Sequence, residues 1–180
     1  MLDDMSIRHI IFDCDGVLTD NTIMYGNGEM PFRARTFYIP DGQGIIMLRE
    51  RDIEVYLISG EGDSCISGRA EELGVHYELL VQDKGKIFEM LGINPEECAY
   101  MGDDVNDLPA MKLAKIVACP VNSHREVIDY ISDKAPYLEP GAPIHVKKQI
   151  RYRANSSGGH GAVREFCDML LRNNYLLGID

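Results

Sequence analysis

Residues 7–16 read IRHIIFDCDG, a short apolar run rich in β-branched side chains that ends in an acidic turn containing glycine. Such a run is typical of a buried strand followed by a loop. Side chains two positions apart on an extended chain point the same way, so Asp13 and Asp15 are predicted to face one small volume. Two carboxylates held together favour a bound cation.

Four further short apolar runs follow along the chain, each separated from the next by a segment with helical spacing. This alternation predicts βαβ units and a doubly wound parallel sheet of the α/β class. In such a sheet the loops after the strands meet at one edge, where function concentrates. The predicted strands are residues 7–12, 53–58, 75–80, 98–101 and 115–118, and the predicted helices are 42–50, 63–73, 84–91, 106–113 and 123–131.

Two segments interrupt this alternation. Residues 22–37 surround a Gly-Asn-Gly sequence and predict a small inserted β-hairpin, with no large cap domain. Residues 141–157 are an apparent insertion whose Lys, Arg, Gly and Ser residues predict a basic loop. The length of 180 residues predicts a single domain, with residues 158–180 as a C-terminal tail and helix.

The composition excludes several classes of protein. With 18 basic and 29 acidic residues, the formal charge of −11 disfavours binding to nucleic acid or to an anionic membrane. The first ten residues carry two acids where a signal peptide needs bases, and no apolar run is long enough to span a bilayer. Five cysteines without a CxxC pair indicate reduced thiols. These features predict a cytoplasmic protein.

Later segments bring further polar groups to the edge of the sheet that holds Asp13. Ser59 directly follows the second core strand, Lys84 opens a helix, and the acidic sequence GDDVND at 102–107 follows another strand. Carboxylate oxygens are ligands that Mg²⁺ prefers, while a hydroxyl and an ammonium suit the oxygens of a phosphoryl group. Together these residues predict an Mg²⁺-dependent phosphoryl-transfer site.

In order and spacing, these motifs resemble the four motifs of the haloacid dehalogenase superfamily, which here read FDCDG, ISG, Lys84 and GDDVND. The resemblance implies that Asp13 attacks phosphorus to form an aspartyl-phosphate. It implies that Asp15 protonates the leaving oxygen and later activates water. Ser59 and Lys84 would bind the phosphoryl group. The implied Mg²⁺ ligands are the Asp13 carboxylate, the Asp15 backbone carbonyl and Asp103. Asp107 would support these ligands.

The chain is similar in particular to the cap-less branch that contains the 3-deoxy-D-manno-octulosonate 8-phosphate phosphatases, through longer motifs at 13–21, 41–45, 81–86, 99–107 and 158–165. This similarity implies removal of the terminal phosphate from a 2-keto-3-deoxy sugar acid in lipopolysaccharide biosynthesis. It implies a homotetramer joined by the hairpins, with the glycine-rich tail reaching a neighbouring active site. The residues assigned to substrate binding are Asp41, Gly60, Glu61 and His160.

The sequence departs from that branch at two of these positions. Glu61 stands where the octulosonate enzymes usually have Arg, whereas the ketodeoxynonulosonate 9-phosphate phosphatases have Glu. His160 replaces the usual tail Arg, so an imidazole takes the place of a fixed charge. Ketodeoxynonulosonate 9-phosphate or N-acylneuraminate 9-phosphate is therefore the alternative substrate. The bases that either supply the missing charge or form a solvated loop are Lys147, Lys148, Arg151 and Arg153.

Two other functions were weighed against sugar-acid phosphatase activity. Cys119 and Arg125 have the C-x₅-R spacing of cysteine-dependent phosphatases, but the residues between them lack glycine and Pro120 removes a backbone donor. The second alternative is a non-catalytic oligomerisation module, a phosphatase fold that has lost its reaction. Catalysis is favoured because the residues of all four motifs are present.

Overall fold

The computed structural model describes residues 7–27, 32–132, 149–173 and 175–176. Within them, helices flank both faces of a parallel sheet. The elements in chain order are β1 (His9–Asp13), β2 (Met24–Gly26), β3 (Phe32–Ala34), α1 (Ile39–Arg49), β4 (Glu54–Ile58), α2 (Ser64–Leu73), β5 (His76–Glu78), α3 (Ile87–Leu91), β6 (Cys98–Met101), α4 (Leu108–Met111), β7 (Ile116–Cys119), α5 (Arg125–Ser132), β8 (Ile150–Arg153) and α6 (Ala162–Arg172).

The main sheet has six strands in the order β5-β4-β1-β6-β7-β8, and every neighbouring pair is parallel. This arrangement confirms the predicted α/β fold. The chain extends the sheet outward from β1 to β4 and β5, and then crosses to β6 on the other side of β1. The carboxyl end of β1 therefore lies at the point where the strand order reverses, which is where open α/β sheets form binding crevices.

Alternate residues of the central strands pack into cores on opposite faces of the sheet. On β1, Ile10 and Phe12 point into a core with α1, α2 and α6, whereas Ile11 points into a core with α3, α4 and α5. Ile10, Ile11 and Phe12 are each completely buried. A strand covered on both faces needs a continuous apolar run, which explains the sequence IIF.

The inserted hairpin is present as predicted between β1 and α1. β2 and β3 pair in antiparallel fashion, with Met24 opposite Ala34 and Gly26 opposite Phe32. Residues 28–31 of its turn lie outside the described residues. The hairpin leaves the sheet beside the carboxyl end of β1, so its arginines can reach the loops that follow β1 and β4.

Part of the segment predicted as a basic loop is instead a strand. β8 pairs in parallel with β7, and Ile150 and Tyr152 pack against the core that contains α6. The alternation of apolar residues with Arg151 and Arg153 suits a strand at the edge of the sheet. Residues 141–148 of the predicted insertion lie outside the described residues. Among the described helices, none has the length and apolar content to cross a membrane.

Candidate active site

The sheet brings Asp13, Ser59 and Asp103 to one edge, as the sequence predicts. Asp13 is the last residue of β1 and lies in register with Ile58, the last residue of β4. Ser59 follows Ile58 directly, and Asp103 comes two residues after the end of β6. Because all three strands are parallel, the residues after them emerge on the same side. Asp13, Ser59 and Asp103 are all buried at this edge.

Gly16 allows the loop after β1 to approach the loop after β6. Its φ is +85°, a left-handed conformation that favours glycine. A Cβ atom at this position would also overlap the carboxylate of Asp103. The glycine of the DCDG sequence is therefore required both by the backbone conformation and by the close approach of an acidic side chain.

Lys84 joins two of the buried carboxylates. Its Nζ lies 2.7 Å from Asp13 Oδ1 and 2.8 Å from Asp107 Oδ1. Lys84 begins the short 3₁₀ turn Lys84–Lys86 that precedes α3, and Asp83 caps this turn by accepting a hydrogen bond from the Gly85 N–H. The turn thus directs the ammonium group under the ends of β1 and β6, where it compensates the charge of the acids.

Asp107 is completely buried and accepts hydrogen bonds at both of its oxygens. Oδ1 accepts from Lys84 Nζ and from the Tyr100 hydroxyl, at 2.8 and 2.7 Å. Oδ2 accepts from the backbone N–H groups of Asp103 and Asp104, at 3.0 and 3.1 Å. These bonds fix the loop after β6, so Asp107 holds Asp103 and Lys84 in place.

Three of the acidic residues lie close enough together to hold a divalent cation. One carboxylate oxygen from each of Asp13, Asp103 and Asp107 lies within 4.8 Å of the other two. Carboxylate oxygens are the donors that Mg²⁺ prefers. Because the Asp107 oxygens already accept four hydrogen bonds, Asp13 and Asp103 are the better direct ligands, with Asp107 supporting them.

Burial and mutual repulsion perturb the ionisation of these groups. Burial, and then the charge of Asp107, raise the pKa of Asp13 well above its ordinary value. The same two causes raise the pKa of Asp103 to about 7. Burial opposes the charge on Lys84, but the adjacent Asp13 and Asp107 carboxylates outweigh burial, and the pKa of Lys84 is raised. Paired carboxylates with raised pKa values in a cleft are typical of functional sites.

A cavity of about 400 Å³ opens above these residues. Its lining includes five carboxylic acids but a single base, Lys84, among the described residues. A phosphate dianion would be repelled by such a cavity unless a cation neutralised part of the negative charge. The acids of the lining are Asp13, Asp15, Glu61, Asp103 and Asp104.

The predicted residues of the loop after β4 also line the cavity. Ser59 Oγ accepts a hydrogen bond from the Glu61 N–H at 3.0 Å, and this bond shapes the turn around Gly60. The Glu61 side chain is half exposed and pairs with Arg33 of the hairpin at 3.1 Å. Glu61 therefore lies at the mouth of the cavity, between the buried acids and the hairpin.

Asp41 has a structural role in the described fold, and its predicted role in substrate binding stays a prediction. It is buried in the first turn of α1, and its two oxygens accept hydrogen bonds from the backbone N–H groups of Gly161 and Arg164. Since these donors belong to the first turn of α6, Asp41 caps that helix and joins it to α1. Asp41 is absent from the described lining of the cavity.

The glycine-rich run that contains His160 packs on the loop after β1 of its own chain. The Gly159 N–H donates to the Val17 carbonyl at 3.0 Å, and a Cβ at Gly158 would overlap the Gly16 carbonyl oxygen. His160 stacks on Tyr38 and is likewise absent from the described cavity lining. The described contacts of residues 158–161 are made within the chain, and the contact with a neighbouring active site that the family resemblance implies stays a prediction.

The arginines of the predicted basic insertion are used for packing. The Arg151 guanidinium lies 4.3 Å from the centre of the Tyr130 ring and donates to the Tyr130 carbonyl. Arg153 donates to the Val121 carbonyl at 2.9 Å. Neither belongs to the described lining of the cavity, so within the described part of the single chain they make no contact with the site. Lys147 and Lys148 lie outside the described residues.

The structure excludes the cysteine-dependent alternative. Cys119 is buried at the end of β7, and burial raises the pKa of its thiol to about 11, so the nucleophilic thiolate is disfavoured. Arg125 is exposed and pairs with Asp129 on its own helix. No phosphate loop links the two residues.

Three residues of the site were not predicted from the sequence. Arg35 of the hairpin pairs with Asp15, and the Thr19 hydroxyl donates to the same carboxylate. Tyr100 donates to Asp107 from the middle of β6. The Arg35 contact spans twenty positions and depends on how the hairpin folds back, so no local pattern reports it.

Comparison with known proteins places the chain among hydrolases. Residues 40–115 match the family model described as haloacid dehalogenase-like hydrolase. The chain is 33% identical over 173 residues to the 3-deoxy-D-manno-octulosonate 8-phosphate phosphatase of Haemophilus influenzae, covering 93% of this chain and 84% of that protein. The corresponding Escherichia coli K12 protein is 34% identical over 171 residues, covering 92% and 80%.

A solved structure has the same architecture. The 3-deoxy-D-manno-octulosonate 8-phosphate phosphatase of Moraxella catarrhalis, crystallised with a magnesium ion, a phosphate ion and a KDO molecule, superposes with a TM-score of 0.74. It is 30% identical, and the match covers 94% of this chain and 89% of that one.

Proposed function

Because this chain belongs to the haloacid dehalogenase-like hydrolases and is a phosphoric monoester hydrolase, we propose that it removes the terminal phosphate of a 2-keto-3-deoxy sugar acid. The substrate that we propose first is 3-deoxy-D-manno-octulosonate 8-phosphate, which the names of its relatives give. The observation that carries the proposal is the buried Asp13 carboxylate, held by Lys84 at the edge of a cavity that Asp15 also lines.

In the first step, a carboxylate oxygen of Asp13 attacks phosphorus, and the bond from phosphorus to the sugar oxygen breaks. Asp15 gives its proton to that oxygen, so the sugar acid leaves as an alcohol. In the second step, Asp15 takes a proton from water as the water oxygen attacks phosphorus. The acyl-phosphate bond then breaks, which regenerates the Asp13 carboxylate and releases inorganic phosphate.

Lys84 and Ser59 bind the phosphoryl group in this mechanism. The Lys84 ammonium is fixed by two carboxylates, so it is oriented before the substrate arrives. The buried Ser59 lies directly after β4 and lines the same cavity.

The cofactor that we propose is Mg²⁺. The residues that would hold it are the carboxylates of Asp13 and Asp103 and the backbone carbonyl of Asp15, with Asp107 supporting them. When bound, the ion would supply positive charge to the phosphoryl oxygens, which the acidic cavity lacks.

The test is phosphate release from octulosonate 8-phosphate by the purified chain, with Mg²⁺ and with EDTA. Asp13→Asn, which keeps the shape of the side chain, should abolish release, whereas Asp129→Asn on exposed α5 should leave it unchanged. Release that persists in Asp13→Asn would refute the proposed nucleophile. If the wild-type chain releases no phosphate from any sugar-acid phosphate or phenyl ester, the non-catalytic module becomes the better interpretation.

A nine-carbon substrate is the second candidate, and the position of Glu61 favours it. Glu61 lies at the cavity mouth, where the family's nine-carbon enzymes carry the same residue. Ketodeoxynonulosonate 9-phosphate and N-acylneuraminate 9-phosphate should be assayed beside the eight-carbon substrate. The larger kcat/KM identifies the substrate class.

We also propose that the chain assembles as a homotetramer through its hairpin. Several large apolar side chains there are exposed in the single chain, including Met24 at 64% and Tyr25 at 69%. Exposed apolar residues gathered on one element are typical of an interface. Sedimentation should give a tetramer for the wild type and smaller species for Tyr25→Ser combined with Phe32→Ser; a wild-type monomer would refute this proposal.

A further inference from the structure

Arg35, directly after β3, makes a two-pronged contact with the Asp15 carboxylate. Its Nε lies 2.7 Å from Oδ1 and its Nη2 lies 2.9 Å from Oδ2. The Arg35 side chain has no exposed surface. A bidentate guanidinium fixes both the position and the plane of a carboxylate, which a single point charge cannot do.

The guanidinium is itself fixed from the opposite side by Asp63. Arg35 Nη1 pairs with Asp63 Oδ2. The other oxygen of Asp63 accepts the Cys65 N–H at 3.0 Å and caps α2. Arg35 therefore joins three elements: the hairpin, the catalytic loop after β1, and the start of α2 after β4.

The two oxygens of Asp15 are in different environments. Oδ1 accepts hydrogen bonds from Arg35 Nε and from the Thr19 hydroxyl, the latter at 3.1 Å. Oδ2 accepts from Arg35 Nη2 alone among the described residues. Asp15 lines the cavity and its side chain is 22% exposed. Oδ2 therefore keeps capacity for one more hydrogen bond on the side where substrate would lie.

We propose that Arg35 is a positioning residue that holds the Asp15 carboxyl group so that Oδ2 gives the proton to the leaving oxygen. This inference rests on the proposed function, because it needs Asp15 to act as general acid and base. Oδ1, held by two donors, keeps the character of a carbonyl oxygen. The proton moves from Oδ2 to the bridging oxygen as the phosphorus–oxygen bond breaks, and Oδ2 recovers a proton from the attacking water.

The inference predicts a dependence on the leaving group. An alkoxide or phenoxide needs a proton as it departs, whereas p-nitrophenoxide leaves without one. kcat/KM covers only the steps up to phosphoryl transfer to Asp13, so it isolates the step in which Asp15 acts as acid. In Arg35→Met, kcat/KM should fall about 100-fold for the sugar-acid phosphate and for phenyl phosphate, but less than about 5-fold for p-nitrophenyl phosphate.

Three further variants separate positioning from stability. Arg35→Lys keeps the positive charge but cannot make the two-pronged contact with Asp15. It should show a smaller loss of kcat/KM with the same selectivity between leaving groups. Asp63→Asn, which keeps the fork of Arg35 on Asp15 but removes the charge behind the guanidinium, should lower the melting temperature and cause a smaller selective loss than Arg35→Met. In an Asp15→Asn background, Arg35→Met should cause no further loss, because the group it positions is gone. Arg125→Met on α5 is the surface control.

An equal loss on all three substrates in Arg35→Met would overturn the inference and leave Arg35 a structural role. Full activity in Arg35→Lys would also overturn it, since charge alone would then suffice. The test of the sugar substrate is separate from the test of Arg35. A wild type that cleaves only the phenyl esters would refute the proposed substrate. The comparison of phenyl phosphate with p-nitrophenyl phosphate would still decide the role of Arg35. A wild type inactive on every ester would refute both.

Discussion

The Nζ atom of Lys84 lies 2.7 Å from Asp13 Oδ1, and both side chains are almost fully buried. Replacing Lys84 by Met keeps most of the side-chain volume but removes the charge that compensates Asp13 and would bind the phosphoryl group. We expect kcat to fall about 100-fold or more. Steady-state phosphate release measures this change. Lys86→Met in the same turn, where the side chain is exposed, should retain activity; equal losses in both variants would contradict the prediction.

The Tyr100 hydroxyl supports Asp107, and its removal should cost stability more than activity. In Tyr100→Phe, Asp107 keeps Lys84 and two backbone donors. The free energy of unfolding should fall by about 1–2 kcal/mol, because the lost bond has a charged acceptor. Urea denaturation measures this difference. Tyr130→Phe, which loses a bond to the neutral Gln149 amide, should cost less. A larger cost for Tyr130→Phe would contradict the argument.

A Cβ added at Gly158 should displace the loop after β1. It would overlap the carbonyl oxygen of Gly16, which is backbone and cannot rotate away. We expect Gly158→Ala to destabilise the fold by about 1–3 kcal/mol and to lower kcat, since Asp15 lies beside Gly16. Gly68→Ala in α2 is the control, because a Cβ there meets nothing within 4 Å. The control should gain about 0.5–1 kcal/mol; matching effects would refute the predicted overlap.

The Asp41 carboxylate should make stability depend on pH. Burial raises the pKa of Asp41 above its ordinary value of 3.8. The folded state therefore holds this proton more tightly than the unfolded state. The protonated Asp41 contributes fully to stability below the pKa that Asp41 has in the unfolded state. This contribution is lost as pH rises through the pKa of Asp41 in the folded state. The unfolding free energy of the wild type minus that of Asp41→Asn should be largest below about pH 4 and decrease towards pH 7. A difference that grows with pH would contradict this sign.

Glu61 should influence the choice between eight-carbon and nine-carbon substrates. Glu61→Arg would reverse the charge at the mouth of the cavity and leave Arg33 without this partner. We expect the ratio of kcat/KM for octulosonate 8-phosphate to that for ketodeoxynonulosonate 9-phosphate to rise about tenfold. Glu61→Gln, which removes charge without adding any, should change the ratio less. An unchanged ratio in Glu61→Arg would show that Glu61 does not set specificity.

The features predicted correctly from the sequence depend on local pattern and on the geometry of parallel sheets. Asp13, Ser59 and Asp103 could be placed together because each follows a strand with a clear apolar run. Lys84 could be assigned to the same site because it begins the helical segment that follows β5. Their close approach follows from the parallel arrangement and needs no knowledge of individual contacts.

The features missed or misplaced depend on contacts between distant segments. In the sequence Asp41 resembles a functional acid, but its partners are backbone donors at the start of α6, some 120 positions away. Arg35 lies in a short hairpin whose orientation has no local signal. The sequence predicts a loop over β8 because Pro140, Gly141, Pro143 and the glycine- and serine-rich run at 155–161 flank it. In each case the tertiary fold decided the role of a residue whose local sequence suggested another.

The central place of β1 also has a consequence for synthesis of the protein. His9 pairs with Glu54 on one side and with Cys98 on the other, so both neighbours of the first strand are translated after it. Asp13 therefore leaves the ribosome long before the strands that bury it. Until β6 emerges, the apolar run before Asp13 is a segment that a chaperone could bind. Since Asp107 anchors Lys84, the site cannot form in a nascent chain before that residue has been added.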